Sequence, residues 1–573
     1  MQKSLRKQSN TVGFPLGAAA LGALAGAVVF LLLYGTSVLH PSWDAWILNG
    51  YDEWDVQQHY AGWLLFRNAH WGFPLGLADT MALPAGTAIS YTDSIPWVSI
   101  ALKLLRGVLP ATFQWFGLYT LGCFVLQGAA GALLCCRNMA RKLSTLAFGA
   151  LGGALFACLP TLWERAFRHT ALASHWLYLF ALYAYLVYRT ALREKRRALP
   201  WAFPVLAFLA VGIHPYFLPP VMICALLAAV EDGRVAGRWG RGALQFGVSL
   251  LSALGGGLLC GAIGGTGLSR DGYGSVSMNL NAIFNPSSRG GYQWSKILPV
   301  LPQQAGQYDG FNYLGLGVLA LLAAALVCAA VGVVRRPVQV RQWWGRNWPL
   351  FAACAFLALF AVSNGIYFGD RGVTLPLPPA VLALCGIFRS SGRMFYLVGA
   401  CMVLFGVNML KSLGQTGKKM SWLPCVLLAL VLAVQVWDLS GAAAQKRQML
   451  NAGTLPINAT VANNDQTQAL GVGHKTLLAT SPVREDRLRL LAILAGKQGL
   501  ATNLDITVAE GGAAQPDSMT QAAALLQSGK YDPETVYVTT DGGEYENWQA
   551  IFAQDAAVTL FVADSCYFLA PAA

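Results

Sequence analysis

The chain has 573 residues, of which 55% are hydrophobic and 12% are charged, and its formal net charge at pH 7 is +13. Apolar runs that can cross about 30 Å of hydrocarbon recur from residue 14 to residue 440, which excludes an ordinary soluble protein. The basic excess would indicate a nucleic-acid partner only if its distribution along the chain supported one.

The hydropathy pattern predicts an α-helical polytopic membrane protein with about eleven transmembrane helices. In chain order they cover about residues 14–39, 112–136, 145–163, 172–190, 200–214, 216–232, 243–265, 312–334, 348–366, 379–410 (interrupted) and 421–440. The first run lacks a small-residue cleavage site, so we expect it to be retained as a span.

Charge alternates sharply between the connections. One set carries 21 Lys and Arg against three acids, Glu194, Glu231 and Asp232. The positive-inside rule places this set, and the N-terminus, in the cytoplasm. The basic excess is therefore a topology signal, and we expect no nucleic-acid partner. Eleven spans then place the end of the chain outside the cytoplasm.

The segment SIPWVSIALKLLRGVLP, residues 94–110, needs a separate interpretation. It is apolar but carries Lys103 and Arg106, and counting it as a span would move every later connection to the opposite side. We expect an amphipathic helix that lies in the outer interface. The first outer connection, residues 40–111, is then the largest feature of the membrane half.

The chain changes character at about residue 441, which predicts a membrane domain, 1–440, and an extracytoplasmic domain, 441–573. The second part is polar, with eight Lys and Arg and 13 acids. Helical stretches at 485–498 and 518–529, with strand-like runs TVYVTT and VTLFVADSCYFLA, predict a small α/β domain. The last run reads as a hairpin across Ala563-Asp564-Ser565.

Three acids, Asp52, Glu53 and Asp55, fall within four positions just after the first span, in NGYDEWDVQQHY. Carboxylates accept hydrogen bonds from sugar hydroxyls and can deprotonate one as it attacks. We assign all three as candidate catalytic residues, with Asp55 as the first choice. Asp55 and Glu53 are the candidate ligands if a metal ion is bound. The alternative is that the acids serve only solubility and topology.

The outer connections, including the long one at 266–311, are also rich in aromatic and cationic residues. Arginine binds phosphate through paired N–H donors and stabilises a departing phosphate. Two arginines four positions apart lie in an apolar segment, where charge is usually functional, and one helical face would present both to a single anion. The candidate substrate-binding residues are Arg389, Arg393, Asp93, His59, His169 and Arg289.

Several of these candidates have a purely structural alternative. Asp93 precedes Ser-Ile-Pro and is suited to cap the helix that follows. The histidines His59 and His169 are of a type often found in cores and interfaces. A solvated connection explains Arg289 equally well.

Many separate blocks, in order along the chain, resemble a family of large bacterial polytopic membrane proteins of unassigned function. They include DVQQHYAGWLLFRNAHWGFPLG, TDSIP, SHWL, HPYF, GYGSVSMNLNAIFNP, GQYDGFNYLGLG and FRSSGRMFY, over most of residues 40–410. That family in turn is similar to the GT-C superfamily of integral-membrane glycosyltransferases. Glu53-Trp54-Asp55 resembles the E-x-D form of the acidic motif in that superfamily's first outer loop. By role, and not by a sequence motif, Arg389 and Arg393 are candidates for binding the carrier phosphate.

The resemblance implies a bacterial cell-membrane enzyme that takes sugar from a polyprenyl-phosphate carrier. The acceptor would be an envelope glycan, glycolipid or protein on the outer face. Asp55 would act as general base in an inverting transfer, and arginines would neutralise the leaving phosphate. Some relatives use a divalent cation, Mg²⁺ or Mn²⁺, and others do not, and the sequence leaves both open.

Two other functions remain open. A transporter or flippase of a lipid-linked or polar substrate would use intramembrane charges and broken helices, although we detect no inverted repeat. A non-catalytic assembly protein for surface polymers would use the tail as an interaction module.

Overall fold

The computed structural model of the protein describes residues 2–50, 55–196, 200–263, 272–413, 422–451, 460–507 and 516–572. Two predicted catalytic residues, Asp52 and Glu53, lie outside these described residues. The other predicted site residues are all within them.

The first half of the chain is mainly helical. Its helices are α1 (Gln2–Tyr34), α2 (Ala45–Leu48), α3 (Asp55–Asn68), α4 (Pro96–Lys103), α5 (Phe116–Cys136), α6 (Leu143–Ala157), α7 (Pro160–Arg165), α8 (Trp176–Arg193), α9 (Ala202–Ile213), α10 (Leu218–Ala236) and α11 (Trp239–Cys260). The second half adds α12 (Leu316–Arg335), α13 (Pro337–Val362), α14 (Pro379–Cys385), α15 (Phe395–Leu413), α16 (Leu423–Asp438), α17 (Ser440–Asn451), α18 (Glu485–Gln498), α19 (Pro516–Gln527) and α20 (Gly542–Ile551).

Many of these helices are long and apolar enough to cross a membrane, as expected of a multi-pass membrane protein. Among the described residues eight segments can cross a membrane by length and composition: Phe14–Tyr34, Phe116–Cys136, Thr170–Arg193, Pro215–Ala236, Trp239–Cys260, Leu316–Arg335, Pro337–Val362 and Ser391–Leu413. The pair α16 and α17, bent by 55°, would make a ninth.

The predicted number of eleven spans is not reached by this measure. The spans predicted at 145–163 and 200–214 correspond to α6 and α9, which have 15 and 12 residues. At 1.5 Å per residue these helices rise about 23 Å and about 18 Å, which is less than a full hydrocarbon layer.

The predicted interruption of 379–410 is present. After α14 the chain forms two 3₁₀ turns, Gly386–Phe388 and Ser391–Met394, before α15 begins. Between the turns Ser390 has ψ 63°, outside the helical region. Arg389 and Arg393 are therefore not on one continuous α-helix, and the prediction that one helical face presents both is wrong.

The segment 94–110 forms a helix over only eight residues, because α4 begins at Pro96 and ends at Lys103. Its two cationic side chains, Lys103 and Arg106, contact other residues of the protein. The Lys103 ammonium lies 4.1 Å from the ring centroid of Phe66, and Arg106 donates to the carbonyl of Ala69 at 3.2 Å. Both contacts hold the segment against the end of α3.

The C-terminal part contains a small sheet domain. Two short hairpins precede it in the chain, formed by β1 (Leu77–Ala78) with β2 (Thr87–Ala88) and by β3 (Gly365–Phe368) with β4 (Arg371–Thr374). The five-stranded sheet contains β5 (Thr476–Ala479), β6 (Ala501–Thr502), β7 (Thr535–Thr539), β8 (Val558–Ala563) and β9 (Cys566–Pro571).

The order of this sheet is β6-β5-β7-β9-β8, with β5 parallel to β6 and β7, and β9 antiparallel to β7 and β8. The predicted hairpin is confirmed, since Ala563 pairs with Cys566 across Asp564 and Ser565. These two residues have φ of 51° and 59°, as a two-residue hairpin turn with positive φ requires. The predicted tail helices correspond to α18 and α19.

The sheet domain packs on the first long connection, 40–111, through α18 and α3. A Cβ added to Gly496 of α18 would lie 2.6 Å from the Cβ of Leu64, so the two helices approach as closely as glycine permits. The amide of Asn68 donates to the carbonyl of Gly496 at 2.7 Å. At the other end of α3, the charge of Arg489 from α18 acts on Asp55, the first residue of α3.

Candidate functional site

Asp55 begins α3, and its side chain is partly buried. Burial raises the pKa of its carboxyl, while Arg489, Arg289, Arg168 and Arg393 act in the opposite direction. These four arginines come from α18, the connection before α12, the loop after α7 and the turn before α15. Asp55 therefore lies where the first connection, the membrane helices and the sheet domain meet.

Asp309 joins two arginines that are far apart in the chain. Its Oδ1 accepts from Nη2 of Arg165 at 2.7 Å, and its Oδ2 accepts from Nε of Arg393 at 2.9 Å. Nε of Arg165 also donates to the hydroxyl of Tyr396 at 2.9 Å. Burial alone would raise the pKa of Asp309, but the two guanidinium groups outweigh it and hold that pKa well below its usual range.

Glu164 binds three guanidinium groups. The distances from its carboxylate are 2.8 Å to Nε of Arg165, 3.0 Å to Nε of Arg289 and 3.4 Å to Nη1 of Arg168. Burial opposes ionisation here too, but the three arginines together lower the pKa of Glu164 to about 2. The guanidinium of Arg289 also lies 4.5 Å from the ring centroid of Tyr308.

Arginines are the cations of this network. Four of them share two acids, Glu164 and Asp309, and Arg489 brings a further positive charge toward Asp55. Guanidinium groups bind phosphate through paired N–H donors, so the arrangement can hold an anionic group such as phosphate beside a carboxylate.

Two histidines contact Asp93, and a third lies next to them. Nε2 of His169 is 3.3 Å from Oδ2 of Asp93, and Nε2 of His214 is 3.6 Å from Oδ1. The ring of His169 lies between the other two, with centroid distances of 5.4 Å to His59 and 5.2 Å to His214. One ligand atom from each of His59, Asp93 and His169 lies within 4.8 Å of the others, so these three residues could hold a metal ion.

Burial controls protonation in this group. It raises the pKa of Asp93 to about 7, with Arg393 opposing and Asp55 reinforcing the shift. It lowers the pKa of His59 to about 3 and that of His169 well below its usual value. The two imidazoles are therefore neutral at pH 7, and the charge of Asp55 contributes to the raised pKa of Asp93, so the two clusters lie near each other.

The structure brings six of the predicted site residues together: Asp55, Asp93, His59, His169, Arg289 and Arg393. Asp93 does not cap α4, because Ile95 is the N-cap residue and no side chain bonds there. Arg389 lies beside Gly272, in the connection after α11.

Sequence reasoning did not select Arg165, Arg168, Asp309, His214 and Arg489 as site residues. A signal existed for the first two, since WERAFRH places four ionisable residues within six positions at the end of an apolar run. Arg489 gave none, because one arginine on an amphipathic tail helix is ordinary.

A cavity of about 510 Å³ lies elsewhere, in the sheet domain, and is lined in part by Leu470, His474, Phe561 and Pro571. The residues that line this described cavity include no acid and no arginine. Both ring nitrogens of His474 face backbone carbonyls, at 2.9 and 3.0 Å. We therefore assign the chemistry to the cluster around Asp55 and not to this cavity.

A comparison with curated proteins finds no match to the chain. Residues 23–440 match a family described as "Domain of unknown function (DUF6311)". The matched range includes all the residues of the site described above except Arg489. Since the match covers well over half of the 573 residues, the protein belongs to the DUF6311 family.

Proposed function

We propose that this protein is a membrane glycosyltransferase that moves a sugar from a polyprenyl-phosphate donor to a cell-envelope acceptor on the outer face of the membrane. The observation that carries the proposal is the surrounding of Asp55. A partly buried carboxylate from the first connection lies within the electrostatic influence of arginines from four separate segments, which suits a base beside a phosphate group.

The proposed reaction is a direct displacement. Asp55 takes the proton of the acceptor hydroxyl, whose oxygen bonds to the anomeric carbon of the donor. The bond between that carbon and the phosphate oxygen breaks, and its electron pair leaves with the phosphate. Burial supports the role of Asp55, because a raised pKa makes its carboxylate a better base near neutral pH.

The arginines have two different roles in this proposal. Arg165 retains only 2% of its side-chain exposure and is bonded to Glu164, Asp309 and Tyr396, so it holds the network in place. Arg289 and Arg393 retain 11% and 12%, so they are less enclosed than Arg165, and each binds its acid through Nε. We assign these two to the donor phosphate.

The position of the site suits a lipid-linked donor. His169 immediately precedes the candidate span Thr170–Arg193, His214 precedes Pro215–Ala236, and Arg393 lies in the first turn of Ser391–Leu413. Three candidate spans therefore begin at the site, which supports a donor whose headgroup lies at the membrane boundary.

A transporter of the same lipid-linked substrate is the second candidate. The observation that favours it is the broken helix around Ser390, between α14 and α15, because discontinuous helices are common at transporter binding sites. An assembly protein without catalysis remains the third reading.

The test compares wild type with Asp55→Asn, using Asp79→Asn as the control. Asp79 lies in the same connection but is about half exposed and contacts His70. Each purified protein is incubated with polyprenyl-phosphate sugars and an envelope extract as acceptor. Donor loss is followed by mass spectrometry, and donor binding is measured separately.

We expect wild type and Asp79→Asn to consume a donor, and Asp55→Asn to bind that donor without consuming it. Equal consumption by wild type and Asp55→Asn would remove Asp55 from the role of base. If wild type binds donors, consumes none and moves them across liposome membranes, the protein is a transporter.

A further inference from the structure

We propose that His59, Asp93 and His169 bind a divalent transition-metal ion, with His214 orienting Asp93. This site differs from the one predicted at Asp55 and Glu53, and its ligand set favours a different class of ion. The inference stands on the geometry of these residues and does not require the proposed sugar transfer.

The spacing of the ligand atoms is close to that of a bound metal. Two atoms that bind one ion tetrahedrally at about 2.0–2.2 Å lie about 3.4 Å from each other. Nε2 of His169 and Oδ2 of Asp93 are already 3.3 Å apart. Including His59, the three ligand atoms lie within 4.8 Å of one another, so they must move closer together around a bound ion.

Buried nitrogen atoms at this place lack partners. The Nδ1 atoms of both His59 and His169 are buried and have no hydrogen-bond partner among the described atoms. Buried polar atoms are nearly always paired, so two unpaired imidazole nitrogens in adjacent rings need an explanation. A metal ion bound by Nδ1 of His59 would give that nitrogen a partner, while the ligand atom of the neighbouring His169 ring is Nε2, beside Asp93.

His214 is placed to support the site from outside the ligand set. Its Nδ1 accepts a hydrogen bond from the backbone N–H of Tyr216 at 3.2 Å, which leaves the proton of the neutral ring on Nε2. That Nε2 points to Oδ1 of Asp93 at 3.6 Å. Contacts of this kind fix the orientation of a ligating carboxylate and tune its affinity for the ion.

The ligand types indicate the class of ion. Two imidazoles and one carboxylate suit Zn²⁺, Mn²⁺, Fe²⁺ or Co²⁺, whereas Mg²⁺ and Ca²⁺ prefer oxygen ligands throughout. Three protein ligands also leave a coordination position open, which is typical of an ion that contacts substrate.

The test uses full-length protein stripped of metal with a chelator and titrated with Co²⁺, whose visible absorption reports imidazole and carboxylate ligands. Metal content of untreated protein is measured by mass spectrometry. The variants are His59→Gln, Asp93→Asn, His169→Gln and His214→Ala. The control is His70→Gln, since the side chain of His70 is 90% exposed and bonded to Asp79.

We expect wild type and His70→Gln to bind one Co²⁺ that Zn²⁺ displaces and excess Mg²⁺ does not. His59→Gln, Asp93→Asn and His169→Gln should lose the absorption band, and His214→Ala should keep it with affinity lowered about 10–100-fold. The proposal would be overturned if wild type showed no absorption band at one Co²⁺ per protein, and this result does not depend on whether the variants fold. It would also be overturned if Asp93→Asn, His59→Gln and His169→Gln all kept the band.

The outcome is separate from that of the proposed function. If the protein binds the metal but consumes no donor, the proposed metal site stands and the proposed transferase activity does not. A protein that consumes donor equally well after complete removal of metal keeps the transferase and shows that the ion has no part in the reaction.

Discussion

The ammonium of Lys497 lies 2.7 Å from Oδ2 of Asp44, and this ion pair joins the end of α18 to the first connection. The hydroxyl of Tyr60 donates to the same oxygen at 3.1 Å. Only 12% of the Lys497 side chain and 10% of the Asp44 side chain are exposed. The pair therefore fixes the sheet domain to the segment that carries Asp55.

Replacing Lys497 by Ala should weaken this docking. The carboxylate of Asp44 would stay largely buried without its cation, and leaving a buried group unsatisfied costs about 1–3 kcal/mol. Thermal unfolding in detergent and limited proteolysis of the sheet domain measure the change. Lys475→Ala is the matched control, because Lys475 pairs with Glu534 at the same 2.7 Å but is 72% exposed. An equal loss in the two variants would contradict the role assigned to Lys497.

Glu164 should make the stability of the protein depend on pH in the acid range. Its pKa in the folded protein is about 2, below the usual 4.5, so its contribution is fully present above about pH 4.5. That contribution is lost as pH falls from about 4.5 toward 2. The difference in unfolding temperature between wild type and Glu164→Gln should therefore shrink over this range. A difference that stays constant would show that Glu164 is not held ionised by the arginines.

Arg489 should affect donor recognition more than stability. Replacing it by Ala removes one of the positive charges that face Asp55. Since a charge-assisted contact contributes about 1.5–3 kcal/mol, donor affinity should fall about tenfold or more. Arg484→Ala is the control, because Arg484 lies beside α18 but is half exposed and paired with Asp486. Binding of labelled donor to the two variants measures the effect, and equal binding would exclude Arg489 from the site.

The same Arg489→Ala variant should also change the pH profile. Arg489 lowers the pKa of Asp55, so its removal raises that pKa. Asp55 acts as base only when deprotonated, and the acidic limb of the activity profile should therefore move to higher pH. A shift to lower pH, or none, would contradict the electrostatic influence of Arg489 on Asp55.

Comparing variants of Arg165 and Arg289 should distinguish an arginine that stabilises the fold from one that binds the donor. Removing Arg165 leaves Glu164 and Asp309 buried with less compensation, so Arg165→Ala should lose about 3–5 kcal/mol of stability. Arg289→Ala removes a more accessible group and should lower donor affinity with a smaller loss of stability. Unfolding temperature and donor binding, measured on both variants, check this. Similar behaviour of the two would place both arginines in one structural role.

Local patterns explain which parts of the fold could be predicted. An apolar run such as that of α12 identifies a candidate span whatever it packs against, and Asp564-Ser565 between two alternating runs identifies a hairpin. The break at Ser390 could not be placed in the same way. The composition of an apolar segment does not reveal a change in one backbone dihedral angle. The four-residue spacing of the two arginines therefore predicts a continuous helix, which the break at Ser390 interrupts.

Long-range contacts explain what the sequence did not reveal about the site. Asp55 was found because three acids stand together after the first span. Asp309 lies in a Gly-rich connection and acquires its role only through Arg165 and Arg393, which are far from it in the chain. The leucines of α18 look the same in sequence whether they pack on their own sheet or on α3 as well.

The docking of α18 on α3 also has a consequence for how the protein is made. The region that matches the family ends at residue 440, and Arg489 is synthesised only afterwards. Asp55 therefore comes under the influence of Arg489 only after α18 has been made and has folded against α3. A chain that stops before α18 would carry Asp55 without this arginine.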